Sequence, residues 1–92
     1  MLTSKERAAK RAAANGMPVI MQVGKNGIEK NSVIQVDDAL TARELIKLRV
    51  LDTSESTPRE IANALAEKTG AEVVQVVGSV IVLWRERPKD RQ

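Results

Sequence analysis

The chain reads as an α/β (α+β) domain of order α-β-α-β-α-β-β with a mixed four-stranded sheet. Three observations predict it. Apolar residues switch between helical spacing and strict alternation along the chain. Two capping boxes, Thr3-Ser4-Lys5-Glu6 and Thr57-Pro58-Arg59-Glu60, announce helices. Two β-branched runs, Val73 to Val77 and Val80 to Trp84, flank Gly78-Ser79, a pair suited to a two-residue hairpin turn.

The first helix is expected over 4–14, because the run after Thr3 is rich in alanine, the best helix former. Ala8, Ala9, Ala12 and Ala13 form a small-residue stripe, with Lys5, Arg7, Lys10 and Arg11 largely around it, and Asn15-Gly16 ends the helix. Pro18 opens an extended stretch, 18–23. After a glycine loop, Val33, Ile34, Val36, Ala39 and Leu40 recur at helical spacing and predict a second helix over about 30–42. From Leu45 to Leu51, Ile46, Leu48 and Val50 alternate with Lys47 and Arg49, the pattern of a half-buried strand. Asp52 to Ser56 is a polar loop. The third helix starts at the Thr57 cap, buries Ile61, Ala62, Leu65 and Ala66, and stops at Gly70. The β-α-β unit makes 18–23 and 45–51 parallel, and the terminal hairpin adds antiparallel strands. The tail, 85–92, is expected to fray as a basic segment.

A chain of 92 residues is expected to be one domain, burying roughly two-thirds of its unfolded surface. There is no cysteine and no histidine, so disulfides, thiolate metal sites and the commonest general base are excluded. Trp84 is the only aromatic residue, which excludes base readout by several sheet aromatics. No apolar run approaches the ~20 residues that span a bilayer. The start lacks the apolar stretch of a secretory signal, and the cytoplasm is the default compartment. Asp37-Asp38 cannot converge on one ion, since adjacent helical side chains point about 100° apart. No phosphate-binding lysine motif is present, so neither catalytic nor metal-binding residues are expected, and no cofactor.

Net charge is +3, and its distribution says more. Residues 1–25 carry Lys5, Arg7, Lys10, Arg11 and Lys25 against Glu6, a net +4. Residues 26–83 carry a net −3, and 84–92 a net +2. Basic ends with an acidic middle suit a polyanion bound on one face, and equally suit solvated helices and tails.

The segment Val23-Gly24-Lys25-Asn26-Gly27-Ile28 lies between the first strand and second helix. Glycine at both corners permits a tight turn and the close approach of another backbone. Lys25 then meets a phosphate and Asn26 a sugar or base, the device by which Gly-x-x-Gly loops clamp RNA. The same two glycines also suit a simple strand-to-helix turn. Lys5, Arg7, Lys10, Arg11, Lys30, Arg85 and Arg87 are further candidates for phosphate contact, with Lys89 continuing the tail. Lys47 and Arg49 either line an RNA-facing sheet surface or sit on the wet side of their strand. Trp84 either stacks on a base or, as a lone tryptophan at a strand end usually does, packs.

Four stretches carry a resemblance to a known family. They are Leu2-Thr3-Ser4-Lys5-Glu6-Arg7, the glycine loop from Val23 to Ile28, Arg43-Glu44-Leu45-Ile46-Lys47-Leu48, and Thr69 to Gly78 running on through Ile81 to Arg85. In this order and spacing the chain resembles the CRM domain in its free-standing bacterial form, the YhbY-like proteins. The resemblance implies a fold similar to the C-terminal domain of translation initiation factor three. It implies binding to structured RNA, association with precursors of the large ribosomal subunit, and kinship with plant splicing factors. The chain departs from the family's usual pattern at Asn15 and Arg43, where histidine is common, and at Trp84, where tyrosine is common. None of these lies in the glycine loop.

The expected function is therefore non-catalytic binding of precursor ribosomal RNA in assembly of the large subunit, with no membrane or small-molecule partner. Two alternatives remain at this point: a regulator, splicing or chaperone factor for another structured RNA, and a protein-interaction module.

Overall fold

Seven elements follow the expected order: α1 (Ser4–Asn15), β1 (Met21–Val23), α2 (Lys30–Arg43), β2 (Leu45–Val50), α3 (Pro58–Thr69), β3 (Glu72–Val77) and β4 (Val80–Trp84). The computed structural model describes residues 2–23, 30–51 and 57–86. The glycine loop and residues 87–92 lie outside them.

Both capping boxes form. Thr3 Oγ1 accepts the N–H of Glu6 at 3.1 Å, and Glu6 Oε1 accepts the N–H of Thr3 at 2.9 Å. The Thr57–Glu60 pair repeats this geometry at 3.2 and 2.9 Å. Gly70 closes α3 in the left-handed region at φ 76°, where its lack of a Cβ removes the penalty. α2 ends differently. Glu44 takes φ 67° and donates its N–H to the carbonyl of Leu40, so a non-glycine residue makes the helix-to-strand corner.

The strands form one mixed sheet in the order β1-β2-β4-β3. β1 and β2 are parallel, with Met21, Gln22 and Val23 opposite Leu48, Arg49 and Val50. β2 and β4 are antiparallel, as are β4 and β3. β1 is shorter than the expected 18–23. Pro18 has no N–H to give a ladder, and Met17 still bonds back to the carbonyl of Ala14, so regular pairing is delayed. Ile20 already donates to Lys47. In the β3–β4 hairpin Gly78 has φ 57°, as a tight two-residue turn requires of its first residue. A register shift between Val73 and Gln75 marks a β-bulge in β3.

The two sheet faces are covered unequally. α2 and α3 cover one with Val36, Leu40, Ile61, Ala62 and Leu65, packed on Val23, Ile46, Leu48, Val50, Ile81 and Leu83. Ile34 turns away from this cluster and is 48% exposed. α1 covers the other face with a smaller cluster of Leu2, Ala14, Val74 and Val82, flanked by Met17, Leu45 and Trp84. The alanine stripe of α1 does not make this contact: Ala8, Ala9, Ala12 and Ala13 are all exposed. The half-buried side chains are Arg7, Lys10 and Arg11, which with buried Ala14 occupy one helical face.

Polar contacts replace the missing apolar ones. Lys47, on the α1 side of β2, donates from Nζ to the carbonyls of Ala14 at 3.1 Å and Met17 at 3.2 Å. This puts an ammonium on the negative end of the α1 dipole. Replacing Lys47 with Met keeps the stem and removes both charged hydrogen bonds. Urea unfolding is expected to show a loss of about 1–3 kcal/mol, with hydrogen exchange accelerated in α1 more than in α3.

The Glu6 carboxyl is held below its ordinary value, chiefly by the hydrogen bond from the Thr3 N–H; desolvation opposes this, and the Thr3 hydroxyl and the Lys10 charge add to the lowering. A lowered carboxylate pKa stabilises the fold above the unfolded value, and the contribution disappears as pH falls through the folded value. Melting temperatures of the protein and its Glu6→Gln variant should therefore differ by a constant amount at neutral pH. The two curves should converge in acid.

Candidate nucleic-acid interface

The basic residues singled out by the sequence fall into distinct groups. Lys5 is exposed in the first turn of α1, and Arg11 is half-buried in its third. Neither has an ion-pair partner among the described residues. Arg7 reaches across the sheet face and donates from Nη1 to the carbonyl of Val73, at the bulge where the ladder is interrupted. Lys10 places Nζ 4.7 Å from the centre of the Trp84 ring. This cation–π contact covers the aromatic face. Trp84 is itself half-buried against the smaller cluster, so it packs.

Arg85 is held more firmly than any other cation described. Its Nη1 donates to Asp37 Oδ1 at 2.5 Å and to the carbonyl of Thr69 at 2.7 Å. Its Nη2 donates to the Asp37 carbonyl at 3.0 Å and Thr41 Oγ1 at 2.8 Å. The guanidinium side chain is 19% exposed and joins the end of β4 to α2 and the end of α3. By sequence Asp37 is one of two adjacent helical aspartates that cannot converge on one ion. Nothing in the sequence pairs it with a residue 48 positions away.

Lys30 is the first residue of α2. Gly24, Lys25, Asn26 and Gly27 lie between β1 and α2 in the chain, outside the described residues, as does Arg87. The described cations thus divide into those used within the fold (Arg7, Lys10, Lys47 and Arg85) and those that face solvent, Lys5, Arg43, Arg49, Arg59 and Lys68 among them.

One concavity lies at the end of the sheet where α1 begins. It encloses about 370 Å³, and Glu6, Glu72 and Glu86 line it with Trp84 and Arg85. Three carboxylates make it unsuited to a phosphate. Among the described residues no group of three or more acidic, histidine or cysteine side chains could hold a metal ion. No described helix is long and apolar enough to cross a membrane.

Comparison with known proteins agrees with this architecture. The CRS1 / YhbY (CRM) domain matches residues 2–85. A probable RNA-binding protein of Bacillus subtilis, YqeI, is 39% identical over 92 residues, covering 100% of this chain and 96% of that protein. An RNA-binding protein of Haemophilus influenzae is 30% identical over 91% of this chain and 85% of its own length. A solution structure of a Staphylococcus aureus protein superposes with a TM-score of 0.83 at 43% identity, covering 99% of this chain and 95% of the other. With the same helices and mixed sheet, and the family's domain running through nearly all of its length, the chain belongs to the CRS1 / YhbY (CRM) domain family.

Proposed function

We propose that this protein binds structured RNA, specifically precursor ribosomal RNA, and assists assembly of the large ribosomal subunit in the cytoplasm without catalysis. The observation that carries the reading is a full-length relationship to proteins named for RNA binding, in a chain whose N-terminal 25 residues carry a net +4. Solvent-facing cations supply phosphate contacts, and the loop Gly24-Lys25-Asn26-Gly27 supplies a backbone clamp. Lys5, Arg11, Lys30 and Arg87 act as further phosphate ligands. Arg7, Lys10 and Arg85 set the position of α1 and the C-terminal segment.

If about four phosphates are neutralised, affinity for a folded large-subunit RNA fragment should fall about a hundredfold between roughly 50 and 200 mM salt. The double change Lys25→Asp and Asn26→Asp puts two negative charges where the RNA backbone is proposed. It should shift stability by no more than about 0.5 kcal/mol and weaken RNA binding at least about tenfold, or 1.4 kcal/mol. Thermal melting and RNA titration on one preparation separate the two effects. Unchanged affinity would reduce the glycine loop to a turn. Salt-insensitive binding, or none, would favour a protein-interaction module.

The assembly role has its own measurement. On sucrose gradients of gently lysed cells the protein should travel with large-subunit precursors. Recovery only at the top of the gradient would leave RNA binding standing and remove the ribosomal assignment.

A further inference from the structure

α1 leaves one end of its sheet face uncovered. The helix ends over Lys47. Two residues further along β2 on the same side lies Arg49, opposite Gln22 of β1 and Val80 of β4, and Val80 in turn is opposite Val77 of β3. Gln22 and Arg49 are exposed, Val80 is half-buried, and Val77 is 58% exposed. Beside this row is an open depression of about 490 Å³, walled by Val19, Ile20 and Met21 and bordered by Gln22 and Arg49.

We infer that this depression holds an unstacked nucleobase of single-stranded RNA, with Arg49 stacking on the base and Gln22 reading its edge. The inference rests on the RNA-binding reading above and adds a site to it.

Three features select this occupant. Modules that recognise single strands stack bases on aromatic rings or on guanidinium planes. The one aromatic ring of this chain already carries Lys10, which leaves guanidinium planes. Of the described arginines, Arg7 and Arg85 are committed to backbone and carboxylate partners, and Arg11, Arg43 and Arg59 lie on helices away from the depression's lining. The Arg49 side chain is exposed, has no hydrogen-bond or ion-pair partner among the described residues, and borders the depression from β2. Its positive charge also suits the phosphate flanking a bound base. Gln22 offers two donors and an acceptor, enough to hydrogen-bond a base edge. The apolar wall of Val19, Ile20 and Met21 supplies the contact a base needs outside its polar edge. The site adjoins β1, whose last residue directly precedes Gly24, so a strand held at the proposed clamp would pass this depression.

The test uses the whole protein and two fluorescent RNA probes, single strands of roughly eight identical nucleotides and a blunt duplex of about 16 base pairs. Arg49→Lys keeps the charge and removes the plane. It should weaken single-strand binding by about fivefold or more, the lower end of what one lost stacking contact costs, and leave duplex binding within about twofold. Gln22→Ala should alter the ranking of the A, U and C strands. Both positions are exposed, and melting temperature verifies that the fold is kept. A single strand carrying 4-thiouridine should crosslink to the peptides that contain Gln22 or Arg49. Equal losses on both probes, no loss, or crosslinks confined to other peptides would overturn the inference while leaving RNA binding intact. Failure of the unaltered protein to bind either probe would overturn the RNA-binding reading with it. A protein strand that paired with the free edge of β1 would use backbone groups, so insensitivity to both variants together with capture of such a strand would assign the surface to a protein.

Discussion

The seating of α1 rests on the ammonium of Lys47 and the two carbonyls it reaches, those of Ala14 and Met17. The opposite side of the sheet needs no such device, because α2 and α3 bring leucine, isoleucine and valine to a fully buried cluster. α1 brings one buried alanine. Its neighbours Leu2 and Met17, just outside the helix, supply the rest of its apolar contact. A helix with so little to bury is oriented by directional bonds, and Lys47 and Arg7 provide them from opposite ends. Each also satisfies a main-chain oxygen at an irregular point, the end of a helix in one case and a bulge in the other.

This arrangement changes what positive charge means in this chain. A count of lysines and arginines treats them as equivalent, whereas the fold consumes four of those described and leaves others to solvent. Arg85 shows the difference most clearly. It stands where the chain leaves the sheet, and by sequence alone it belongs to a basic tail. In space it bridges α2 and the last carbonyl of α3 through four hydrogen bonds.

Local chemistry was legible in the sequence, and contacts between distant segments were not. Thr3, Thr57 and Gly70 act within a single turn, so residue type and spacing were enough to place the helix ends. Gly78-Ser79 located the hairpin for the same reason. Alternation in β2 assigned Ile46, Leu48 and Val50 to one face and Lys47 and Arg49 to the other. The periodicity of α1 identifies a helix but not its orientation: alanine is small enough to face either way, and arginine and lysine stems can lie along a sheet. The shortened β1 and the outward turn of Ile34 depend on neighbours that no local pattern names. Of the proposed interface, the sequence disclosed the residue types and their clustering. The cross-strand row of Gln22, Arg49, Val80 and Val77 exists only once the strand order is known.

The bulge in β3 has a consequence for how chains of this kind tolerate changes in length. Val73 and Gln75 face adjacent residues of β4, and Val74 is the residue in excess. Deleting it would leave a ladder with no interruption. It would also remove a buried valine from beneath α1 and alter the carbonyl that Arg7 uses. The more regular strand would thus belong to the poorer fold. The number of residues in β3 is set by the helix lying across it and not by the strand beside it, so a one-residue gap here in a related chain would signal a first helix seated in another way.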